Sequence, residues 1–398
     1  MRDHGTIAVV GGGPAGALAA ERLANGGQHV RLFDEKLAWE KPCGGGITHK
    51  ALQQYPFLAA AQSHYKAIEQ CELIAPSGRR VRFRIQHPVA IFSRTDLNGL
   101  LLERARKAGV EIARERVTRI EGEAGEWRMT TTSGESRAAF LLLAAGARNP
   151  FVGQFVAPIA SSDLMATAGY FIPGQFSLMQ IQFLEGISGY IWVFPRLDHA
   201  SVGIAGKGDE TPTRELRRIV EQWIGENGLS LEGARFFSHI LPSFRQQSIE
   251  AIRVSGDGWA MIGDSAGLVD PITGEGLYYA LRSAELCAEG LLARRPEDYA
   301  LHLREEIIPE LALAARVSQR FYHGQVFGES VAERMISLTS QSENFRELMS
   351  DLFAGIQGYR DLKARLYRIL PSVAIEGLAE TLFQSSSFAK VTVKPIVE

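Results

Sequence analysis

Near its start the chain carries four consecutive apolar residues, Ile7-Ala8-Val9-Val10, followed at once by glycines. A short unbroken run of this kind reads as a strand buried on both faces of a parallel sheet. The Ala/Leu-rich segment after Gly16 reads as a helix, and residues 30–33 as a second buried strand. The same strand pattern returns at 140–144 and again at 259–264. In the segment LNGLLLERARKAGV, leucines form one stripe at helical spacing, with Ser93 or Thr95 as cap and Gly109 as stop. Residues 71–92 read as short strands around the turn Pro76-Ser77-Gly78, and the alternation is cleanest in Arg80-Val81-Arg82-Phe83-Arg84-Ile85. The three arginines there read as a solvated face. From about 155 to 250, aromatic and β-branched residues alternate. Segments 169–172, 176–184, 189–194 and 200–205 read as an antiparallel sheet, with one helix near 213–226. From about 297 onward the pattern is almost wholly helical, with stripes such as Phe321, Val326 and Val331, and a short β-like run at 391–393.

These patterns predict an α/β fold with an α+β second lobe. A Rossmann-like domain is assembled from residues 1–70, 92–155 and 255–295. It carries an inserted antiparallel-sheet domain of residues 71–91 and 156–254. Residues 296–398 form a helical C-terminal region. A length of 398 residues agrees with two or three lobes rather than one core.

The glycines give the first strand its chemistry. Gly11, Gly13 and Gly16 occupy the three positions of a dinucleotide fingerprint, with Pro14 and Ala15 between the second and third. The first allows a tight turn, the second lets backbone approach a pyrophosphate, and the third lets the helix pack closely on the strand. Unpaired N–H groups at the helix start then face the phosphates. The second strand ends at Asp34 and Glu35, where a carboxylate receives a ribose 2′-OH. Asp34 has the better position and Glu35 is the substitute. One loop further on, Lys41-Pro42-Cys43-Gly44-Gly45-Gly46 is permissive backbone suited to close approach of a flat ligand. Gly263 and Asp264 close a later strand and lead through Gly274 and Gly276 into a helix.

Net charge is −2, so there is no electrostatic case for a nucleic-acid partner. The cysteines Cys43, Cys71 and Cys287 form neither a disulfide framework nor a spaced metal cluster, and no metal site is expected. No run of 18 or more apolar residues suggests a membrane span, and no signal peptide is expected before the first strand. The expectation is a cytoplasmic protein. The amphipathic segment from Leu352 to Leu370, with Arg360, Lys363, Arg365 and Arg368, leaves peripheral contact with the inner face of a membrane open, although core packing is favoured.

Four stretches carry a family resemblance: residues 11–16 with Asp34, the Lys41–Gly46 loop, Gly189-Tyr190-Ile191-Trp192-Val193-Phe194-Pro195, and Gly263-Asp264-Ser265-Ala266-Gly267 through Pro271 to Gly276. In that order the chain resembles the para-hydroxybenzoate hydroxylase-like FAD-dependent oxidoreductases and, within them, the geranylgeranyl reductase family. The resemblance implies bound FAD, with Asp264 at the ribityl chain and the Gly274–Gly276 backbone near the flavin pyrimidine. It places Arg94 along the FAD, and the Cys43–Gly46 loop near the flavin ring and the substrate. Tyr190 and Trp192 then line the substrate cavity, and Cys43, Tyr190 and Trp192 are the candidate catalytic residues. Buried packing is the competing reading for Cys43 and for the aromatics. One departure is that relatives carry an Asp-Gly pair where this chain has Ala145-Gly146, which weakens any transfer of hydroxylase-type nicotinamide handling.

The reading that follows is an FAD-dependent oxidoreductase reducing carbon–carbon double bonds of an apolar, isoprenoid-like small molecule or lipid. NAD(P)H or a reduced electron carrier is the donor. A flavin-dependent monooxygenase and a non-catalytic flavin-binding carrier or sensor are the alternatives.

Overall fold

The computed structural model describes residues 5–326 and 328–369. Leu370 and the β-like run at 391–393 lie outside the described residues. The chain divides into two compact units. Among the described residues the first comprises 5–41, 93–165 and 240–315, and the second 42–92, 166–239 and those from 316 to 369.

The first unit is built on a six-stranded sheet. Its order is Ser255–Gly256, Trp259–Met261, Phe140–Leu143, Ile7–Val10, Val30–Phe33 and Glu111–Ala113. Ile7–Val10 is central, paired in parallel with Phe140–Leu143 on one side and Val30–Phe33 on the other. Phe140–Leu143 pairs in parallel with Trp259–Met261, so strands more than a hundred residues apart share one sheet. Only the short edge strand Ser255–Gly256 runs antiparallel. Ile7 to Val10 are all buried, as helices on a parallel sheet require. Helix Pro14–Asn25 packs against helices Arg94–Lys107 and Leu277–Leu292. Ser93 caps the middle one, accepting from Asp96 N–H at 3.0 Å. A small antiparallel sheet of Val117–Glu121, Trp127–Thr131 and Glu135–Ala138 completes the unit's strands.

The second unit is built on an eight-stranded sheet. Its order is Arg235–Pro242, Leu164–Pro173, His199–Lys207, Gly189–Pro195, Met179–Phe183, Tyr65–Ile74, Arg80–Phe92 and Gly46–Ile47. The pairings are antiparallel at the hairpins, but Met179–Phe183 runs parallel to Tyr65–Ile74. That junction joins strands distant in sequence, which no hairpin turn constrains. One face packs Ile191, Val193, Val202 and Ile204 against Leu216, Val220, Trp223 and Ile224 of helix Thr213–Glu226. The other packs Ile68, Leu73, Phe83, Ile181 and Phe183 against helices Val331–Gln341 and Glu343–Phe353.

The helical pattern expected to run through Val326 is broken by a hairpin, Gln325–Val326 with Glu329–Ser330. Gly328 at φ +83° makes the turn, and Ser330 then caps the next helix. Residues 359–369 are helical, and Leu362, Leu366 and Ile369 pack on the core while Tyr367 stays exposed. Arg80, Arg82 and Arg84 do face solvent, but Arg80 and Arg82 also pair with the buried Glu72 across the sheet.

Candidate functional site

In the first unit the chain turns at Gly11 with φ +112°, where a Cβ would lie 2.4 Å from the Ala144 carbonyl oxygen. A Cβ on Gly16 would lie 1.9 Å from the Gly11 carbonyl oxygen, so the helix rests directly on the loop backbone. A Cβ on Gly13 would meet nothing within 4 Å, and this loop backbone is open on that side. Gly13 is also the N-cap of helix Pro14–Asn25, offers no side-chain cap, and is followed by no acidic residue in the first turn. The positive end of the helix is therefore left for another anion. Pro14 starts the helix where its missing N–H costs nothing. Asp34 is tied to the same loop. Its Oδ2 accepts from Gly12 N–H at 2.7 Å and its Oδ1 from Lys36 and Leu37 N–H, each at 2.8 Å. Glu35 is set apart, exposed and 3.8 Å from Arg116 Nε.

The later motif meets the first in this unit. Gly263, at φ +58°, is held by Ser283 Oγ, and a Cβ there would lie 3.1 Å from Ala15 Cβ. Asp264 Oδ2 receives Lys41 Nζ at 3.2 Å, and its Oδ1 would be 3.1 Å from a Cβ on Gly276. A Cβ on Gly146 would lie 3.6 Å from Lys41 Nζ, so an ammonium stands beside the Ala145-Gly146 stretch. The loop into helix Leu277–Leu292 is shaped by buried Asp270. Its Oδ1 accepts from Ile272 and Thr273 N–H, and its carbonyl from Gly274 N–H, with Gly274 at φ +69°. Burial, with the charges of Asp270 and Glu275 added, pushes the Tyr279 hydroxyl well above its usual range. Arg94 is 3% exposed, donates from Nη2 to Asn98 Oδ1 at 3.3 Å, and its Nε finds no acceptor among the described residues.

In the second unit the Cys43–Gly46 loop is fastened to the end of strand Gly189–Pro195. A Cβ on Gly44 would lie 2.1 Å from Phe194 Cδ2. Gly45, at φ +84°, would place a Cβ 2.1 Å from the Phe92 carbonyl oxygen. Gly45 N–H donates to Cys43 Sγ at 3.3 Å, and Gly46 pairs in register with Ile91. Tyr190, Trp192 and Phe194 alternate with Ile191 and Val193, as a strand dictates. Trp192 is buried across from Gly203, whose missing side chain makes room for the indole, and its Nε1 donates to Ser201 Oγ at 3.1 Å. Tyr190 is half-buried, edge-on to Trp192 at 6.2 Å between centroids. Burial pushes the thiols of Cys71 and Cys287 up, away from thiolate chemistry.

No family model matches the chain. A geranylgeranyl diphosphate reductase of Rhodobacter capsulatus is 28% identical over 386 residues, covering 89% of this chain and 94% of that protein. A geranylgeranyl bacteriochlorophyll reductase-like protein of Thermoplasma acidophilum superposes with a TM-score of 0.75 at 19% identity, covering 92% and 99% of the two chains. A flavin-dependent brominase superposes with a TM-score of 0.68 at 19% identity, over 96% and 99%. These likenesses place the chain in the FAD-dependent oxidoreductase superfamily of the para-hydroxybenzoate hydroxylase type. Its fold is a flavin-binding one. The reductase-like protein and the brominase share that fold, so the fold does not choose between their reactions.

Three residues of this arrangement carry no signal in the linear sequence. Lys41 stands at the head of a glycine-rich stretch, and its partner Asp264 lies 223 positions away. Asp270 is an internal brace in a loop where only the glycines stood out. Arg196 follows the aromatic strand and gives no linear sign of its burial. No helix among the described residues is long and apolar enough to cross a membrane.

The Asp34 contacts give a first expected outcome. Asp34→Ala strands three main-chain donors at once and destabilises the apo-protein by about 1.5–3 kcal/mol, the scale of lost hydrogen bonds to a charged acceptor. Thermal unfolding without added flavin measures this. Glu35→Ala leaves the unfolding temperature close to that of the parent.

Proposed function

We propose that the chain is an FAD-dependent reductase of carbon–carbon double bonds in an apolar, isoprenoid-like substrate. The observation that carries this reading is the packing of the Cys43–Gly46 loop onto strand Gly189–Pro195, which brings together two of the four stretches on which the resemblance to the geranylgeranyl reductase family rests. The similarity to a named geranylgeranyl diphosphate reductase over nearly the whole of both chains supports it.

The residues present fit FAD. The open backbone at Gly13 and the uncapped helix start would take the pyrophosphate. Asp34 would receive the adenosine ribose, and Asp264, steadied by Lys41, the ribityl hydroxyls. Buried Arg94, with an Nε still able to donate, would add a cation along the cofactor. The Gly274–Gly276 backbone and the start of helix Leu277–Leu292 would favour negative charge at the flavin pyrimidine. Bound FAD, once reduced, supplies a hydride to one alkene carbon. The chain's remaining tasks are orientation, exclusion of water and delivery of a proton to the other carbon. In the second unit, Trp192 has committed its N–H to Ser201 and offers carbon surface. Cys43 and Tyr190 carry the exchangeable protons among the candidate catalytic residues. NAD(P)H or a reduced carrier would reload the flavin. Ala145 in place of a carboxylate separates that step from the hydroxylase pattern.

The test is one anaerobic incubation of the chemically reduced holoenzyme with prenylated alcohols, diphosphates, lipids and quinones, with products read by mass. A gain of two hydrogens without oxygen is the expected result. Product that forms only after oxygen is admitted, carrying one added oxygen atom, would make the chain a monooxygenase. Tight binding with no product under either condition would make it a carrier or sensor.

A further inference from the structure

The second unit contains a charge that neither the cofactor nor the substrate reading uses. Arg196 is 1% exposed and heads the fully buried side chains by size. A guanidinium taken out of water is costly unless its donors are met, and an apolar side chain would fill the same space at less expense. Its contacts are specific. Nη2 donates to the Cys43 carbonyl oxygen at 2.7 Å. Nη1 lies 3.2 Å from His199 Nε2. Arginine only donates, so His199 Nε2 is the acceptor and its hydrogen sits on Nδ1, 2.6 Å from Asp198 Oδ1. The Arg196 main-chain N–H donates to the His199 carbonyl at 2.7 Å, closing the turn between strands Gly189–Pro195 and His199–Lys207. The Phe171 ring lies under the guanidinium at 5.0 Å.

The loop it reaches is otherwise held mainly through its main chain, as where Gly46 pairs in register with Ile91. Three successive glycines give residues 44–46 no side chains to pack. Gly44 is backed by the Phe194 ring, and Gly45 is joined to Phe92 by a main-chain hydrogen bond of 2.9 Å. Of these fastenings, the one at Cys43 is made by a charged side chain, and a charge-assisted bond is the stronger kind. It fixes the peptide that carries the thiol.

We propose that Arg196 is a positioning residue. Oriented by the Asp198–His199 pair, it holds the Cys43–Gly46 loop in one conformation from beneath. Its importance to turnover rests on the reading above, in which that loop serves the reaction. Its hold on the loop does not.

The experiment uses the full-length FAD-loaded protein and the variants Arg196→Met, Arg196→Lys, His199→Leu and His199→Gln. Native-state alkylation of Cys43 by iodoacetamide and amide exchange across residues 42–47 are read first, then kcat and KM in the anaerobic assay. Arg196→Met should speed alkylation by about tenfold, with faster exchange confined to the loop, as for a local opening. Turnover then falls in kcat more than in KM. Arg196→Lys recovers part of each effect. His199→Gln, which restores an acceptor, matches the parent, whereas His199→Leu shifts in the direction of Arg196→Met. Unchanged alkylation and exchange in Arg196→Met overturns the proposal. So does faster exchange spread evenly over the second unit, which marks a merely structural charge. If Arg196→Met does not fold, His199→Leu against His199→Gln decides by the same criteria. If the loop loosens as expected while no substrate is reduced, the positioning role stands and the reductase reading fails.

Discussion

Gly16→Ala is expected to destroy the first unit. The added Cβ falls 1.9 Å from the Gly11 carbonyl oxygen and 3.1 Å from Ala144 Cβ. The first of these is main chain, so no side-chain rotation relieves it. The helix Pro14–Asn25 would have to lift away from the strand it covers, and with it the buried contacts of Ala17, Leu18 and Ala20. Overpacking of a tight core costs about 1–3 kcal/mol where the neighbours give way. Here backbone meets backbone, and the loss should be about 3 kcal/mol or more. The measurement is denaturant unfolding of whatever soluble protein is recovered, beside the parent. A Gly16→Ala protein of parental stability would mean that the glycine turn is not as tight as described.

Gly13→Ala should do the opposite. Its Cβ meets nothing within 4 Å, and its φ of −70° is ordinary for alanine, so the apo-protein should unfold at nearly the parental temperature. The cost appears when FAD is added. A methyl at the backbone over which a pyrophosphate must pass keeps the phosphates from the helix N–H groups. The expected loss is about a hundredfold in FAD affinity, close to 2.7 kcal/mol. It is read by titration of flavin fluorescence and by loss of the FAD-dependent rise in unfolding temperature. Undiminished FAD binding would move the phosphates elsewhere. The two substitutions, three residues apart and chemically identical, thus separate folding from binding.

Much of the first unit was legible because buried parallel strands announce themselves. Ile7–Val10, Val30–Phe33 and Phe140–Leu143 are short, mainly apolar runs, the first followed at once by glycine and the second by Asp34, and each became a strand of one sheet. Local chemistry was legible too. Ser93 caps its helix, and Thr213–Glu226 forms where its apolar stripe lies. Pairing between distant segments was not. The parallel junction of Met179–Phe183 with Tyr65–Ile74 is decided by which apolar faces share a core. The hairpin after Gly324 was hidden inside a helical-looking stripe, since Val326 and Val331 suit either period. Candidate ligands of one motif, such as Asp34 beside Gly12, could be read because strand and loop fix their spacing. Lys41 on Asp264 and Arg196 on Cys43 could not, because a charge's partner and depth are properties of the folded chain.

The proposed reaction passes two hydrogens to an alkene without oxygen. The most direct measurement is a single turnover under argon. Reduced holoenzyme is mixed with one prenyl substrate, and the return of oxidised-flavin absorbance is followed while product is quantified by mass. One double bond saturated for each FAD reoxidised, with no product from substrate alone, is the expected result. Flavin that stays bleached until air is admitted, and a product that then carries oxygen, would contradict it.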